Sequence, residues 1–274
     1  MSLASDIKKA AQNGNVKIQS SEAANLEKIL NRMFYLEKNI KEETAFVRQV
    51  MTRGLESQER VGLHASAMIV SDNKFCVRQQ VLSLLYKQLQ GEQVQVGLKR
   101  IFEEGNAIHE KWQRLFIRAG YGKAEDMDKS RFNDEYELSY TPDGVIEIPE
   151  FYDGKMVLEI KSMNTYSFKP ATSHPSGQKQ MQFYMWLTGL KKGFVLAEDK
   201  NTQEFKVFIE DYDSKKVAPF IERLDQVKFY KQRALEEHKM VKRHVKCTKP
   251  DCKMALECAM REACWNVGEG RIRL

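Results

Sequence analysis

The stretch TPDGVIEIPEFYDGKMVLEIK, residues 141–161, decides the fold because it has the pattern of two short strands joined by a turn. Side chains alternate between the two faces of a strand, so Asp143 lies on the opposite face from Ile146. In the second strand, Glu159 and Lys161 share one face and Leu158 lies on the other. The turn contains an Asp-Gly pair, which is typical of hairpins. We therefore expect a hairpin with one apolar face and one face that carries two carboxylates and a lysine.

The register of this hairpin follows from the position of its turn. A turn centred near Tyr152 places Asp143 roughly opposite Lys161, and Val145 opposite Glu159. Acidic and basic residues that alternate along a strand usually form a solvated face with cross-strand ion pairs. The hairpin alone therefore leaves two interpretations open, a solvated face and a site that binds a metal ion and a phosphate.

The composition is that of a folded protein with a basic balance. The 274 residues are enough to bury a sizeable core. Lys and Arg number 44 against 38 Asp and Glu, and the formal net charge of +6 fits a polyanionic partner without requiring one. No apolar run is long enough to span a bilayer, and the first residues lack the apolar core of a secretory signal. We therefore expect a cytoplasmic protein with no membrane partner.

Periodicity outside the hairpin predicts a mixed α/β fold. Apolar residues recur at helical spacing in residues 21–51, 66–89, 96–118, 177–187 and 214–242. Further strands are predicted at residues 132–140, 193–198 and 204–209, and loops at residues 120–130 and 164–176. Because helices precede, interrupt and follow the strands, we expect a mixed central sheet flanked by helices.

The polar hairpin face carries the groups that phosphodiester hydrolysis requires. This reaction needs a hard cation that neutralises charge on the phosphate, oxygen ligands that hold the cation, and an activated water. Asp143 and Glu159 supply carboxylates suited to Mg²⁺ or Mn²⁺, and the backbone carbonyl of Ile160 would complete the ligand set. Lys161 would position the attacking water or stabilise charge in the transition state. His109, on the apolar face of a predicted helix, would add a nitrogen ligand, although a histidine there is more often a hydrogen-bonded core residue.

Three motifs, in this order along the chain, resemble those of a nuclease family. Proline and aspartate at 142–143, followed by EIK at 159–161, match the PD-(D/E)xK motif with Glu in the variable position. Residues 105–109, GNAIH, are similar to the GxxxH motif of the RecB-like branch, and residues 180–184, QMQFY, to its QxxxY motif. The chain thus resembles RecB-like nucleases over residues 65–264.

The resemblance implies an organisation and an active site. It implies a PD-(D/E)xK core, similar to that of restriction endonucleases, at residues 65–246, with a helical extension at residues 1–64 and a cysteine-rich segment at residues 247–274 that packs on the core. By the same resemblance, Gln180 and Tyr184 would shape the site and contact DNA. The implied catalytic residues are Asp143, Glu159, Lys161, Gln180 and Tyr184, and the implied metal ligands are His109, Asp143, Glu159 and the carbonyl of Ile160.

Five cysteines indicate a metal or cluster site more than disulfides in a reducing compartment. The chain resembles the CRISPR-associated RecB-like exonucleases and the AddB-type helicase-nucleases, which hold an iron-sulfur cluster with one cysteine before the nuclease core and three after it. The resemblance implies Cys76 as the early ligand of a [4Fe-4S] cluster, and Cys258 and Cys264 as the last two ligands. The third late ligand departs from the family pattern, because Ala255 stands where relatives have cysteine.

Either Cys252 or Cys247 must replace the missing ligand, and the shorter loop slightly favours Cys252. On a continuous helix a spacing of six residues rotates successive side chains by about 240°, so Cys252, Cys258 and Cys264 converge only if the helix breaks between them. The alternative is a structural Zn²⁺ site made of the four C-terminal cysteines, with Cys76 as a buried thiol.

A metal-dependent DNA exonuclease that acts on single strands or duplex ends is the expected function. Its setting would be recombination, repair or the DNA processing of a mobile element such as a phage, with a recombination or helicase protein as a candidate partner. The alternative is an adaptor that binds DNA ends without cleaving them, within a recombination or integration complex. The predicted N-terminal helix and the basic balance also fit that role.

Overall fold

The structure, a computed structural model, describes residues 21–53, 62–86 and 96–266. Four parts of the predicted organisation lie outside the described residues: residues 1–20 and 54–61 of the N-terminal extension, residues 87–95 of the core, and residues 267–274 of the cysteine-rich segment.

The described chain forms a mixed α/β fold, as predicted. The helices are α1 (Ser21–Met33), α2 (Ile40–Arg53), α3 (Ala65–Met68), α4 (Val77–Leu85), α5 (Val96–Arg118), α6 (Thr165–Phe168), α7 (Pro175–Thr188), α8 (Ser214–Glu237), α9 (Lys253–Leu256) and α10 (Arg261–Asn266). The strands are β1 (Leu63–His64), β2 (Gly122–Met127), β3 (Arg131–Asn133), β4 (Leu138–Tyr140), β5 (Gly144–Glu147), β6 (Lys155–Met163), β7 (Lys192–Asp199) and β8 (Phe205–Asp211).

A five-stranded mixed sheet forms the centre, with the strand order β2-β5-β6-β7-β8. β6 and β7 are parallel and are joined through α6 and α7, and the other neighbours are antiparallel. A smaller three-stranded sheet has the order β1-β4-β3. The predicted mixed sheet flanked by helices is therefore confirmed.

Apolar side chains cover both faces of the central sheet. On one face α1, α2 and α5 pack over the strands, and buried residues of this layer include Leu30, Trp112, Phe116, Ile160 and Phe194. On the other face lie α3, α4, α7 and α8, with buried residues that include Val81, Val157, Phe183, Val195 and Leu224. Because both faces are covered, a polar group in the middle of β6, such as Glu159, is removed from bulk water.

The hairpin pairs β5 with β6 in a register that differs from the prediction by two residues. Val145 pairs with Val157, rather than with Glu159 as predicted. A turn centre displaced by one residue shifts the register by two, and a shift of two keeps every side chain on its face. Asp143 therefore meets β6 near Glu159 and not near Lys161.

The predicted helix over residues 21–51 is wrong, because two helices occupy that stretch. The chain turns after Met33, and the N–H of Asn39 donates to the carbonyl of Arg118 at 3.0 Å. The Glu43 carboxylate on α2 then accepts hydrogen bonds from Arg114 and Arg118 of α5. The break between α1 and α2 thus lets both short helices pack against α5 and the central sheet.

Other boundaries differ from the predictions for local reasons. The predicted helix at residues 66–89 is the two helices α3 and α4; α4 ends at Leu85, and residues 87–89 lie outside the described residues. The predicted strand at 132–140 is the antiparallel pair β3 and β4. The predicted loops at residues 120–130 and 164–176 contain β2 and α6, and the helix predicted to reach residue 242 ends at Glu237, where His238 takes a left-handed conformation (φ 52°).

Among the helices that the structure describes, none has the length and apolar character needed to cross a bilayer.

Candidate active site

Glu159 and Lys161 lie on the part of β6 that extends beyond β5. The pairing between these strands ends at Leu158, and β6 continues beside β7 alone. Asp143 directly precedes β5, and its Oδ2 accepts a hydrogen bond from the N–H of Ile160 at 2.6 Å. The end of β5 thus places the Asp143 carboxylate against the free edge of β6.

Helix α5 holds Asp143 from the other side. His109 Nδ1 lies 3.0 Å from Asp143 Oδ1. Gln113, one turn later on the same helix face, donates from Nε2 to the Asp143 carbonyl at 2.7 Å. Because both the carboxylate and the backbone are bonded, the position of Asp143 is set by α5 as well as by β6.

A chain of polar contacts connects Glu159 to α7. Lys161 Nζ donates to Glu159 Oε1 and, at 3.2 Å, to Gln180 Oε1. Gln180 Nε2 in turn donates to the Tyr184 hydroxyl at 2.8 Å. The predicted pair Gln180 and Tyr184 therefore meets the hairpin through Lys161, and Tyr184 itself is buried.

The Glu159 carboxylate is buried and only half satisfied. Its residue is 1% exposed, and Oε2 has no hydrogen-bond partner. Burial, and after it the negative charge of Asp143, raises the pKa of Glu159 to about 8. A buried carboxylate with an unpaired oxygen is costly unless a cation compensates it.

His109 and Lys161 carry positive charge more readily than ordinary side chains of their type. Burial acts to lower the pKa of His109, but the charge of Asp143 and its hydrogen bond outweigh burial and raise that pKa. Burial likewise acts to lower the pKa of Lys161, and the charges of Glu159 and Asp143 reverse it. Lys161 is therefore a cation at neutral pH, able to donate hydrogen bonds and unable to accept a proton.

The donor set fits a hard divalent cation. Among the described residues, no three His, Cys, Asp or Glu side chains are already arranged around one point that could hold a metal ion. In this arrangement Asp143 pairs with His109, and Glu159 with Lys161. Two carboxylates and an imidazole are nevertheless ligands that Mg²⁺ and Mn²⁺ accept, and the unpartnered oxygen of Glu159 is where a cation would relieve the cost of burial.

The carbonyl of Ile160, a predicted ligand, faces the same edge. The N–H and C=O of one strand residue point toward the same neighbour. Since the Ile160 N–H bonds Asp143, its carbonyl faces the side on which Asp143 lies. Gly105 of the GxxxH motif is not held close to another element, because a Cβ at this position would meet nothing nearer than Ser162 Oγ at 3.8 Å.

Sequence reasoning missed several residues that support the site. Gln113 is one, and Glu198 on β7 is another, since its oxygens accept from Lys111 Nζ at 2.6 Å and Trp112 Nε1 at 2.5 Å. His174 was not among them, because its place in the predicted loop at residues 164–176 already made it available to a phosphate; in the structure it directly precedes α7. The occurrence of Gln113 and Glu198 as polar residues within apolar stretches was the available signal for a buried polar contact. The sequence does not identify the partners, because these are distant along the chain.

Four of the five cysteines line one cavity of about 30 Å³, although no three of these described residues are already arranged around one point that could hold a metal ion. The thiols that line it belong to Cys76, Cys247, Cys258 and Cys264. Burial raises the pKa of Cys76, and it raises the pKa of Cys258 to about 11. The early cysteine therefore meets the late ones in the folded protein, although more than 160 residues separate them along the chain.

Cys252 lies outside this cavity. Its Sγ contacts the carbonyl of Lys246 at 3.6 Å, and the backbone N–H of Ala255 lowers the pKa of its thiol. Cys252 and Cys247 remain neighbours, since Cys252 contributes, after burial, to a pKa of about 11 for Cys247. The geometry thus favours Cys247, the alternative in the prediction, as the third late thiol.

Arg78 binds Cys264, one of the cysteines of this cavity, and was not predicted. Its side chain is 1% exposed and donates to the Cys264 Sγ at 3.2 Å, the Cys264 carbonyl at 3.1 Å and the Val241 carbonyl at 2.7 Å. A guanidinium that bonds a thiol and two carbonyls ties α4 to the C-terminal segment.

Comparisons with known proteins show a distant likeness to solved nuclease structures. No protein-family model matches the chain, and no curated protein matches it. The chain is similar to the alkaline exonuclease LHK-Exo from Laribacter hongkongensis in complex with dAMP, at 17% identity and a TM-score of 0.48, over 64% of this chain and 90% of that one. It is also similar to a phage-related exonuclease from Haemophilus somnus, at 16% identity and a TM-score of 0.45, over 68% of this chain and 99% of that one. Such likeness does not by itself assign a function.

Proposed function

We propose that this protein is a PD-(D/E)xK nuclease of the RecB-like type, a Mg²⁺- or Mn²⁺-dependent DNA exonuclease that hydrolyses phosphodiester bonds at single-stranded or duplex ends. The observation that carries the proposal is the buried, unpartnered oxygen of Glu159 beside Asp143 and Lys161. A solvated strand face would leave both carboxylates exposed and paired, whereas here Glu159 is buried. The net charge of +6 fits a DNA partner.

In this proposal each residue has a separate task. Asp143, Glu159, His109 and the Ile160 carbonyl would hold the cation, which supplies charge neutralisation at the phosphate and an activated water when bound. Lys161, already protonated, donates to the attacking water or to a phosphate oxygen, and it does not act as a base. Gln180 orients the Lys161 ammonium, and Tyr184 orients Gln180.

Cleavage assays with matched variants test this proposal. Purified protein with Mn²⁺ or Mg²⁺ is expected to degrade linear DNA and to spare closed circles. Glu159→Ala and Lys161→Ala are expected to abolish cleavage. Glu147→Ala and Lys155→Ala are the controls, because this exposed pair lies on the same two strands at 3.8 Å and outside the proposed site.

Two outcomes would contradict the nuclease proposal. Undiminished cleavage by Glu159→Ala and Lys161→Ala would show that the activity has another origin. Tight DNA binding without metal, with no cleavage of any substrate, would instead favour the adaptor that positions DNA ends in a recombination or integration complex.

We further propose that Cys76, Cys247, Cys258 and Cys264 hold a [4Fe-4S] cluster, with structural Zn²⁺ as the alternative. Soft thiolates suit both centres, and the convergence of these four thiols on one cavity supports the ligand set. Anaerobically purified protein is expected to contain iron and to show a broad visible absorbance band, which Cys247→Ser removes and Cys252→Ser leaves. A colourless protein that contains one Zn²⁺ would show that the centre is zinc and not a cluster. Loss of the centre in Cys252→Ser alone would show that Cys252, and not Cys247, is the ligand.

A further inference from the structure

His174, outside the recognised motifs, lies near the hairpin residues of the site, because Gly177 in its helix cap packs against Val195, the β7 partner of Glu159. It directly precedes α7, the helix that carries Gln180. The His174 ring accepts the N–H of Gly177 at Nδ1, with a distance of 3.0 Å. The backbone N–H of His174 donates to Gln178 Oε1 at 3.1 Å. These two reciprocal bonds form a cap on the first turn of α7 and fix both the backbone and the ring.

The cap determines where the imidazole holds its proton. A ring nitrogen that accepts a backbone N–H has no proton of its own, so the proton of the neutral ring is on Nε2. Burial, and after it the positive charge of Lys161, lowers the pKa of His174, which keeps the ring neutral near pH 7. His174 therefore presents a fixed N–H donor.

Gly177 makes this close arrangement sterically feasible. A Cβ at Gly177 would lie 2.8 Å from His174 Nδ1 and 3.0 Å from Val195 Cγ1. The glycine thus allows the ring to approach the helix backbone while the helix approaches β7. Only a residue without a Cβ fits between the imidazole and the strand.

The two histidines near the hairpin are in opposite situations. His109 shares its Nδ1 with the Asp143 carboxylate, and that carboxylate raises its pKa. His174 shares its Nδ1 with a backbone N–H, and burial and the positive charge of Lys161 lower its pKa. Nε2 of His174 has no hydrogen-bond partner among the residues that the structure describes. Its Nδ1 is unavailable to a metal ion, so the ring is suited to binding substrate.

We propose that His174 is a substrate-binding residue of this site, whose Nε2–H donates to a non-bridging oxygen of the phosphate that Lys161 also contacts. The inference rests on the proposed nuclease function, because it assigns the partner of His174 to the same DNA strand. A neutral donor next to a lysine binds a phosphate oxygen without adding a charge that would repel the lysine or the metal.

The variant His174→Asn separates this role from the cap. Asparagine is a strong N-cap residue, so it keeps an acceptor for the Gly177 N–H but lacks the distant N–H donor. We expect the melting temperature to stay near that of the wild type and kcat/KM for DNA to fall about ten- to hundredfold, as for one hydrogen bond to a charged group. Gln178→Ala, which removes the other half of the cap together with a hydrogen bond to the Glu210 carboxylate, leaves the His174 ring in place; it is the control and should retain activity.

Substrates with one sulfur in place of a non-bridging phosphate oxygen provide a readout that a structural role would not affect. Sulfur is the weaker acceptor, so one of the two stereoisomers should slow the wild type. The same isomer should slow His174→Asn much less, because the bond is already lost. Equal sensitivity of both proteins would overturn the proposal, as would kcat/KM unchanged in His174→Asn.

A measurement without cleavage separates this inference from the nuclease proposal. In protein labelled with ¹⁵N at histidine and kept in chelator, a short single-stranded oligonucleotide should shift the Nε2 signal of His174, and inorganic phosphate should do so at higher concentration. If wild-type protein cleaves nothing yet this shift occurs, the nuclease proposal fails and the phosphate contact stands. If cleavage occurs and the signal does not move, His174 is only a helix cap. This measurement also decides the matter if His174→Asn does not fold.

Discussion

Replacement of Glu159 by glutamine should stabilise the protein in the absence of metal while abolishing its proposed activity. Glu159 is 1% exposed, and one of its oxygens has no partner. The folded protein raises its pKa from 4.5 to about 8, first by burial and then by the charge of Asp143. A raised carboxylate pKa means that the folded state binds more protons than the unfolded state between these values. Stability is therefore lost as pH rises through this window.

The size of the effect follows from the same window. One pKa unit corresponds to about 1.36 kcal/mol. At about pH 8.5 the full pKa shift of Glu159 destabilises the folded wild type, whereas at about pH 5.5 only roughly one pKa unit of it does. Between these pH values the free energy of unfolding of the wild type should therefore fall by about 3 kcal/mol relative to that of Glu159→Gln. The amide of the variant carries its own cost, because one N–H group is buried without a partner, but that cost is the same at both pH values.

Urea unfolding in chelator at the two pH values measures this difference directly. Glu198→Gln is the matched control, because both oxygens of this equally buried carboxylate accept from donors, Lys111 Nζ and Trp112 Nε1. In Glu198→Gln the amide N–H₂ would face one of these donors, and we expect the free energy of unfolding to fall by about 1–3 kcal/mol. Addition of Mn²⁺ should stabilise the wild type and not Glu159→Gln.

If the stability of Glu159→Gln relative to the wild type does not increase with pH, the buried Glu159 carboxylate does not destabilise the folded protein. A variant that is less stable than the wild type by the same amount at both pH values would mean that Glu159 is compensated within the protein. The electrostatic argument for a cation at this position would then fail, even if the variant were inactive.

Three further substitutions have expected outcomes. Arg78→Met should lower the free energy of unfolding by about 2 kcal/mol in urea titrations, because the Val241 carbonyl loses its donor while the Cys264 carbonyl keeps Arg243. A loss under 1 kcal/mol would contradict this. Gly193→Ala should destabilise by about 1–3 kcal/mol, since its Cβ would lie 2.8 Å from the Val157 carbonyl oxygen; an unchanged melting temperature would show that the strands separate without cost. Lys206→Met should speed amide hydrogen exchange in residues 165–171, because Lys206 Nζ donates to three carbonyls at the end of α6; unchanged exchange would mean that other contacts hold α6.

The hairpin was predictable because local rules determine it. Alternation placed Asp143, Glu159 and Lys161 on their faces, and this assignment survives a register shift of two residues. The central helices and strands were also found, since their apolar periodicity is strong. β2 was missed because its sequence, GKAEDM, has no apolar alternation and becomes a strand only through pairing with β5.

Contacts between distant segments were not predictable from local patterns. Nothing in the stretch around Glu198 indicates that Lys111 and Trp112 satisfy its carboxylate. The shorter loop favours Cys252 over Cys247 as the third late ligand, but Cys247 is the one that lines the cavity together with Cys76. Both cases depend on how helices pack, which a single sequence specifies only through the whole core.

The meeting of Cys76 and Arg78 with Cys264 also sets the timing of assembly during synthesis. Arg78 and Cys264 are separated by 186 residues, so the first partners leave the ribosome long before the last. Until then, the Arg78 guanidinium lacks its bonds to Val241 and Cys264, and the closure entropy of a very long loop opposes their formation. These contacts therefore form only after residues 241–264 have been synthesised. A nascent chain interrupted before Cys264 would lack them, so the surface around α4 would stay accessible to proteases and chaperones.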